Sequence, residues 1–221
     1  DSDTGRATAW RLRFEGGLRE RFRQGLERSG RWRAHIEGIL ADAGLPPELV
    51  ALPHVESSFN PVARSHAGAA GLWQFTVGTG REYMTVNRVV DERLDPWRST
   101  EAAAALLTQN YERLQNWPIA VTAYNHGRNG MLRAIKAVGD RDYVRIRSEY
   151  TGSRFGFASR NFYPSLLAAA DVDADAERYF ADIERDAPVG PIRVELPHFT
   201  PMKTLLAGLD VDLEAPEALT P

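Results

Sequence analysis

The sequence has 221 residues, a formal net charge of -3, no cysteine, and a composition that is 43% hydrophobic and 26% charged. This balance is typical of a folded globular chain rather than of a disordered or membrane-embedded one, and the near-neutral charge argues against a general nucleic-acid binder. The lack of cysteine excludes disulfide scaffolds, zinc–cysteine sites, iron–sulfur ligation and thiol nucleophiles.

The first part of the chain predicts two helices. Residues 6–33 are rich in arginine and carry apolar residues at a four-residue spacing, which predicts an amphipathic helix with a basic outer face. Such a face is more often a solvated surface than an anionic binding site. The apolar positions of this first helix are Phe14, Leu18, Phe22 and Leu26. A second helix is expected to include Trp32, Ile36 and Ile39 and to end near Gly44.

A third helix is predicted from Leu45-Pro46-Pro47-Glu48, because proline fits the first turn and an acidic residue there suits the helix dipole. It should continue to about Ser57, locally strained at Pro53, and Asn60-Pro61 should end it. Residues 64–80 are small and punctuated by glycine, which permits tight turns and close approach of the backbone to a ligand.

Helical patterns also cover most of the remaining chain. Ser99-Thr100-Glu101 is expected to cap the next helix, Pro118 to open another, and Gly139 to end a third. Residues 162–170 predict one more buried helix. Further on, an alternating apolar pattern predicts a short strand at Ile192, Val194 and Leu196. The predicted fold class is therefore mainly α, with an irregular C-terminal extension containing little β.

Glu56 is the first candidate for chemistry. On a helix beginning at Pro47, the residues Leu49, Leu52 and Glu56 share one face, so the carboxyl is expected among apolar side chains. Burial of an unpaired carboxylate is costly and raises its pKa. A carboxylic acid still protonated near neutral pH can protonate a glycosidic oxygen. On this pattern alone, a structural ion pair with an arginine such as Arg64 is an equally good interpretation.

Two further segments carry groups suited to binding a sugar. Residues 68–75 place Trp73 and Gln74 among small side chains, and an indole can pack on a sugar ring while an amide can donate and accept hydrogen bonds. Residues 123–127 add a tyrosine hydroxyl and a second amide before a glycine. Taken singly, these aromatic residues would more often supply buried area than contact a ligand.

Three motifs stand in order along the chain, and they are Val55-Glu56-Ser57-Ser58-Phe59-Asn60-Pro61, Gly68-Ala69-Ala70-Gly71-Leu72-Trp73-Gln74-Phe75 and Ala123-Tyr124-Asn125-His126-Gly127. They resemble the motifs of lytic transglycosylases with a goose-lysozyme-like catalytic domain, enzymes that cleave peptidoglycan. Within that family the sequence looks most like the branch of membrane-bound lytic murein transglycosylase D. The resemblance covers roughly residues 32–172, and three ordered motifs are a far more specific signal than one Glu-Ser pair.

The resemblance implies a role for each matching residue. Glu56 matches the single catalytic acid and base, and Ser57 matches the neighbouring hydroxyl that helps to position the N-acetylmuramoyl residue. Two positions depart from the family pattern: Thr76-Val77 stands where Met-Pro is common, and His126 where a small residue is usual. The other implied substrate-binding residues are Trp73, Gln74, Phe75, Tyr124, Asn125 and Tyr163, the last resembling a tyrosine that reaches toward the catalytic carboxylate.

The resemblance also implies a mechanism with one carboxyl group. Glu56 protonates the oxygen that bridges N-acetylmuramic acid and N-acetylglucosamine, while the acetamido oxygen of the substrate stabilises the developing cation. The ionised Glu56 then takes the proton of the C6 hydroxyl, which closes a 1,6-anhydro ring with the proximity advantage of an intramolecular nucleophile. Ordinary glycosidases use two carboxyl groups, and Glu92 and Asp95 are the acids to examine for a second one.

Two other functions stay open at this point. One is a hydrolytic muramidase on the same fold, with water in place of the C6 hydroxyl, and the other is a non-catalytic peptidoglycan-binding module that keeps the groove. No metal or cofactor is expected, because the five histidines lack the spacing of a zinc hydrolase. Calcium is a weak alternative, since a loop-like spacing has Ala176 where glycine is needed and its acids are Asp171, Asp173, Asp175 and Asp182.

The chain is predicted to comprise an N-terminal helical extension (1–35), a lysozyme-like catalytic domain (36–170) and a C-terminal extension (171–221) that packs on the catalytic domain. The resemblance implies peptidoglycan glycan strands as partners, not nucleic acid. It also implies a periplasmic or cell-envelope location, compatible with association with the outer membrane. A membrane anchor or a wall-binding module outside the given residues would fit this interpretation.

Overall fold

The computed structural model describes residues 16–190, 200–201, 204 and 207–208. Phe14 and the alternating segment 192–196 lie outside the described residues, so the start of the first helix and the C-terminal strand stay predictions. The described residues up to Pro188 form one compact unit, and a second unit begins at Val189. All the helices of the candidate site belong to the first unit.

The first unit consists of helices and loops. Its β structure is limited, within the described residues, to isolated bridges such as that between Ala70 and Phe75. The mainly α prediction is confirmed. None of the described helices has both the length and the apolar character needed to cross a bilayer. Two short 3₁₀ helices span Pro47–Ala51 and Glu92–Leu94, and the α-helices are α1 (Gly16–Ser29), α2 (Arg33–Asp42), α3 (Leu52–Glu56), α4 (Val77–Tyr83), α5 (Pro96–Leu114), α6 (Trp117–His126), α7 (Arg128–Val138), α8 (Tyr143–Glu149), α9 (Phe157–Ala174) and α10 (Ala176–Tyr179).

A large apolar cluster forms the centre of this unit. Helix α5 contacts α2, α4, α6 and α7, while α9 packs across α3, α6 and the first 3₁₀ helix. Full burial of a large apolar side chain stabilises the fold by roughly 1.5–3 kcal/mol. The cluster thus fixes the short helix α3 between α9 and α1. Its largest fully buried side chains include Trp32, Phe59, Leu72, Trp73 and Leu107.

Helix α1 follows the predicted amphipathic pattern only in its second half. Phe22 and Leu26 are buried, whereas Leu18 is 53% exposed. The prediction that Leu18 belongs to the apolar face is therefore wrong. The rings of His54 and Phe180 cover α1 at Phe22, with centroid distances of 4.5 and 6.2 Å, so the covered surface begins one turn after Leu18.

The helix predicted from Pro47 to Ser57 is divided in two at Pro53. The chain forms a 3₁₀ helix at Pro47–Ala51 and then restarts as α3. Proline has no N–H to donate, so it is tolerated in a first turn but not in a helix interior. The carbonyl of Pro53 accepts from the backbone N–H groups of Ser57 and Phe59 at 3.0 and 3.2 Å, which closes the short helix.

The cap of α5 is Asp95, and the prediction of a cap at Ser99-Thr100-Glu101 is wrong. The Asp95 carboxylate accepts from the backbone N–H groups of Trp97 and Arg98 at 2.8 and 3.1 Å. An aspartate before a proline in the first turn is a strong helix start. Ser99 lies inside the helix, where its hydroxyl donates to the Asp95 carbonyl.

Candidate active site

Glu56 is the last residue of α3 and is partly buried. Burial raises the pKa of its carboxyl to about 8, and no charged neighbour among the described residues offsets this. An isolated carboxylate is poorly solvated in such a place, so the protonated form is favoured. At neutral pH Glu56 is therefore a carboxylic acid that can donate a proton. The alternative of an ion pair with Arg64 does not hold, since the guanidinium of Arg64 lies 3.9 Å from Asp91 instead.

The backbone just after Glu56 turns sharply. Ser58 and Phe59 both have left-handed conformations, with φ of 53° and 55°, which non-glycine residues adopt at a cost. Two contacts stabilise the turn: Arg28 donates to the Ser58 carbonyl at 2.7 Å, and the Phe59 ring is fully buried. The turn sets where α3 ends, and with it the position of Glu56.

Tyr124 brings the third motif to Glu56. Its hydroxyl donates to the Trp73 carbonyl at 2.8 Å, and its ring contacts Phe75 and Phe162 with centroid distances of 6.0 and 6.4 Å. Burial and then the charge of Glu56 raise the pKa of this phenol well above its usual value. The second and third motifs therefore meet beside the catalytic candidate, as the sequence predicted for one cleft.

The glycine-rich second motif folds into a tight loop against Arg93. Gly71 has φ of 81°, and a Cβ there would lie 1.7 Å from the Arg93 carbonyl oxygen, so only glycine fits. The buried Arg93 guanidinium donates to the carbonyls of Gly68 and Phe75 at 2.8 and 3.0 Å and pairs with Asp91. Sequence reasoning missed Arg93, because its neighbours in the chain form no recognisable motif.

Trp73 and Phe75 lie in the core of this structure, and their contact with a sugar stays a prediction that the structure does not support. Trp73 is fully buried and Phe75 is 2% exposed, so neither ring offers a face to a ligand. The indole N–H of Trp73 donates to the Thr100 hydroxyl at 2.9 Å. Both aromatic residues instead stabilise the core beneath the cleft, and Trp73 reaches Tyr124 through its backbone carbonyl.

Ser57 and Gln74 hold the second motif in place. Ser57 is buried, and its hydroxyl donates to the Leu72 carbonyl at 2.7 Å, which ties α3 to the loop. The Gln74 amide donates to the carbonyls of Gly71 and Ala63 at 2.9 and 3.2 Å. These bonds shape the loop, while direct contact of Ser57 and Gln74 with substrate stays a prediction.

Asn125 and Tyr163 lie on different helices. Asn125 is exposed near the end of α6, and its carbonyl oxygen accepts from the Ser159 hydroxyl at 3.0 Å. The partly buried Tyr163 ring, on α9, contacts the Tyr143 ring with a centroid distance of 5.3 Å. Contact of the Asn125 side chain with substrate and the approach of Tyr163 to Glu56 stay predictions.

The two acids examined for a second catalytic role are engaged elsewhere. Asp95 caps α5. Glu92 accepts from the backbone N–H of Thr85 at 2.6 Å and lies 3.5 Å from the Arg98 guanidinium. Both carboxylates therefore stabilise local structure, which leaves Glu56 as the carboxyl of the site.

A buried ion cluster behind α3 was not predicted. Asp173 accepts hydrogen bonds from His54, at 3.1 Å, and from Arg33 and Arg185. Burial would raise the pKa of Asp173, but the hydrogen bonds from His54 and Arg33 outweigh it and hold the pKa well below its usual range. His54 precedes Glu56 by two residues, so this cluster anchors the helix that carries the catalytic candidate. Asp173 is thereby committed to cations of the protein itself, contrary to its place in a calcium loop.

No group of three or more potential metal-ligating side chains occurs within the residues that the structure describes. The polar groups of the candidate site are a carboxyl, a phenol and amides, which suit carbohydrate recognition and proton transfer.

Comparison with known families adds a sequence match to this geometry. The profile of the family named Transglycosylase SLT domain matches residues 35–146, about half of the chain. The matched range includes all three motifs and every helix from α3 to α7 in full.

Several curated proteins are similar to this chain. Membrane-bound lytic murein transglycosylase D of Escherichia coli (strain K12) is 34% identical over 147 residues, which cover 65% of this chain and 32% of that protein. Membrane-bound lytic murein transglycosylase F 2 of Alkalilimnicola ehrlichii is 31% identical, with 63% and 34% covered. The chain thus spans about a third of the length of these relatives.

A solved structure shares the fold. An inactive mutant of the lytic transglycosylase Slt from Pseudomonas aeruginosa matches with a TM-score of 0.54 and 22% identity, over 68% of this chain and 25% of that one. At this identity the match describes the fold and not the function, and it supports the lysozyme-like helical architecture predicted from the motifs.

Proposed function

Because the chain belongs to the transglycosylase SLT domain family, we propose that it is a peptidoglycan lytic transglycosylase. Its reaction is cleavage of the β-1,4 bond between N-acetylmuramic acid and N-acetylglucosamine with formation of a 1,6-anhydromuramoyl product. One observation carries the proposal: Glu56, in the motif that aligns with the family, is a partly buried carboxyl with a pKa of about 8 and no charged partner among the described residues.

The first step uses Glu56 as an acid. At neutral pH the protonated carboxyl transfers its proton to the glycosidic oxygen, and the bond between that oxygen and C1 of the muramoyl residue breaks. The N-acetylglucosamine residue leaves with a new C4 hydroxyl. The acetamido oxygen of the muramoyl residue stabilises the positive charge at C1, so the protein does not need a second carboxylate for this task.

The second step uses the same carboxyl as a base. The carboxylate formed at Glu56 is poorly solvated and has no cation beside it among the residues that the structure describes, which favours rapid recovery of a proton. That proton comes from the C6 hydroxyl, whose oxygen bonds to C1 and closes the anhydro ring. No water is consumed, and Glu56 returns to its starting state. Tyr124, whose hydroxyl donates to the Trp73 carbonyl, lies near enough to Glu56 for the carboxylate charge to help raise the pKa of the phenol.

The cell envelope is the proposed location, since peptidoglycan is found there and the curated relatives are named as membrane-bound murein enzymes. An anchor or a wall-binding module outside the given residues would fit the larger size of these relatives.

The test is digestion of purified peptidoglycan followed by mass spectrometry of the released muropeptides. The proposal predicts products that lack one water and have no reducing end. Reducing ends alone would establish the hydrolytic muramidase instead.

Two variants control this experiment. Glu56→Gln should remove the product, while Glu48→Gln, which changes an exposed acid in the preceding 3₁₀ helix, should keep it. Equal binding of peptidoglycan without cleavage by the wild type and by Glu56→Gln would establish a non-catalytic binding module and contradict the proposal.

A further inference from the structure

The end of α6 carries a hydrogen-bonded chain that the proposed mechanism does not use. Nδ1 of His126 lies 3.2 Å from the Ser159 hydroxyl oxygen, and this hydroxyl donates to the Asn125 carbonyl oxygen at 3.0 Å. Ser159 is 6% exposed, whereas Asn125 is exposed on the helix that also carries Tyr124. These hydrogen bonds therefore link the partly buried His126 ring to the polar side chain that follows Tyr124.

The direction of these bonds follows from counting protons. A serine hydroxyl has one hydrogen, and here that hydrogen points to the Asn125 oxygen. With the hydrogen used in this way, the contact with His126 requires the hydroxyl oxygen to accept from a protonated Nδ1, which is one of the two neutral tautomers of the ring. With its oxygen occupied, the Asn125 amide turns its NH₂ group away from Ser159.

The surroundings of His126 hold this ring in place. Its ring meets that of Phe155 edge to face, with a centroid distance of 5.1 Å. On another side, a Cβ at Gly130 would lie 2.4 Å from Cδ2 of His126, so this glycine leaves room for the imidazole. Burial and the guanidinium groups of Arg133 and Arg154 lower the pKa of His126, while a hydrogen bond between the ring and the backbone of Arg154 acts in the opposite direction.

From this geometry we propose that His126 and Ser159 are positioning residues that orient the Asn125 amide as a hydrogen-bond donor toward substrate. The groups it would meet are carbonyl or carboxylate oxygens, which peptidoglycan presents on its acetamido, lactyl and peptide groups. This inference rests on the proposed function for its substrate. His126 occupies a position where the related motifs usually have a small residue, so this device belongs to this chain rather than to the motif.

The competing arrangement has the reverse polarity. If the His126 proton sits on Nε2, Nδ1 becomes an acceptor, Ser159 donates to it, and the Asn125 amide presents its oxygen to substrate. The two arrangements differ in one proton position and in the hydrogen-bonding sense of one amide. Both differences are measurable.

The first measurement is the tautomer of His126 in the full chain at pH 7, from long-range ¹H–¹⁵N NMR spectra. The proposal predicts protonated Nδ1 in the wild type and, in Ser159→Ala, a shift toward protonated Nε2. A wild-type ring protonated on Nε2 overturns the proposal. This result does not depend on any activity, so it separates failure of this inference from failure of the proposed function.

The second measurement is kcat and KM on soluble peptidoglycan fragments. Ser159→Ala and His126→Phe, which keeps the ring packing on Phe155, should each raise KM roughly threefold to tenfold, the effect of one hydrogen bond, with kcat changed less than about twofold. Ser159→Thr, which keeps the hydroxyl, should restore KM to within about twofold of the wild-type value. An unchanged KM in Ser159→Ala overturns the proposal.

Asn125→Asp and Asn125→Ala test the polarity directly. A carboxylate can accept from Ser159 but cannot donate to substrate. The proposal predicts that Asn125→Asp raises KM at least as much as Asn125→Ala. A KM near the wild-type value in Asn125→Asp would show that this position accepts from substrate, which overturns the proposal.

Discussion

Glu56 and Asp173 are two carboxyl groups on opposite sides of α3, and their pKa values move in opposite directions. Burial without a charged partner raises the pKa of Glu56 to about 8. Asp173 is 5% exposed, and hydrogen bonds from His54 and Arg33 hold its pKa below the usual range despite burial. Burial is common to both, so the presence or absence of cationic partners decides the outcome.

The difference between the two carboxyl groups corresponds to two roles of α3: Glu56 is the candidate for proton transfer, and His54 fixes the position of the helix through Asp173. His54 contacts Asp173, and two residues later Glu56 lies near Tyr124 at the end of the helix. The paired side stabilises the position of the helix, while the unpaired side keeps a carboxyl whose proton can be given away and taken back. Mutation of Glu56 should therefore mainly change the catalytic rate, and mutation of Asp173 should mainly change the free energy of unfolding.

The largest expected effect is on catalysis at Glu56. Glu56→Gln should lower kcat by about a thousandfold or more, because a positioned general acid typically contributes 10²–10⁴-fold and here it also serves as the base. Muropeptide release measured under initial-rate conditions checks this. A loss of less than about tenfold would contradict the assignment of Glu56 as acid and base.

Asp173 should show the opposite pattern, with loss of stability as the main effect. Asp173→Asn leaves Arg33 and Arg185 without their buried anion and should lower the free energy of unfolding by about 3 kcal/mol. Asp175→Asn, an exposed neighbour on the same segment, is the matched control and should change it by less than about 0.5 kcal/mol. Equal denaturant midpoints for the two variants would show that the cluster does not anchor α3.

The stability of the loop formed by the second motif depends on close backbone packing at Gly71. Gly71→Ala adds a methyl group against the Arg93 carbonyl, whereas Gly68→Ala meets open space at a similar φ of 79°. The first variant should therefore be less stable than the second by about 2 kcal/mol, since only the steric term differs. Chemical denaturation of both proteins measures the difference, and equal stabilities would exclude tight packing at Gly71.

The remaining prediction is a gain in stability at neutral pH when the Glu56 carboxyl is removed. A carboxyl whose pKa is raised in the folded state binds more protons there than in the unfolded chain, so stability falls as pH rises from about 4.5 to about 8. Glu56→Gln should therefore unfold with a free energy about 1–3 kcal/mol higher at pH 7 and near the wild-type value at pH 4. A variant without this dependence on pH would place Glu56 in a solvated environment.

The sequence was sufficient to find Glu56 and the residues that gather around it. Each of the three motifs consists of adjacent residues, so it can be recognised from the sequence without knowledge of the fold. Partners distant in the sequence were not predictable: His54 and Asp173 are separated by 119 positions, and Arg33 and Asp173 by 140. The sequence does not show which of many charged residues meet after folding.

Two further points have a different origin. The contact of Trp73 with a sugar was implied by the resemblance, although an indole more often supplies buried area, and only packing distinguishes the two uses. The cap of α5 was predicted at Ser99-Thr100-Glu101 although Asp95 followed by proline is a recognised helix start, so this error was avoidable from the sequence.

The most direct test of the account is an NMR titration of the Glu56 side-chain carboxyl, with ¹³C-labelled glutamate and Glu56→Gln to assign the resonance. The account predicts a midpoint near pH 8, caused by burial without a counterion. A midpoint near 4.5, the value of an ordinary solvated glutamate, would contradict it.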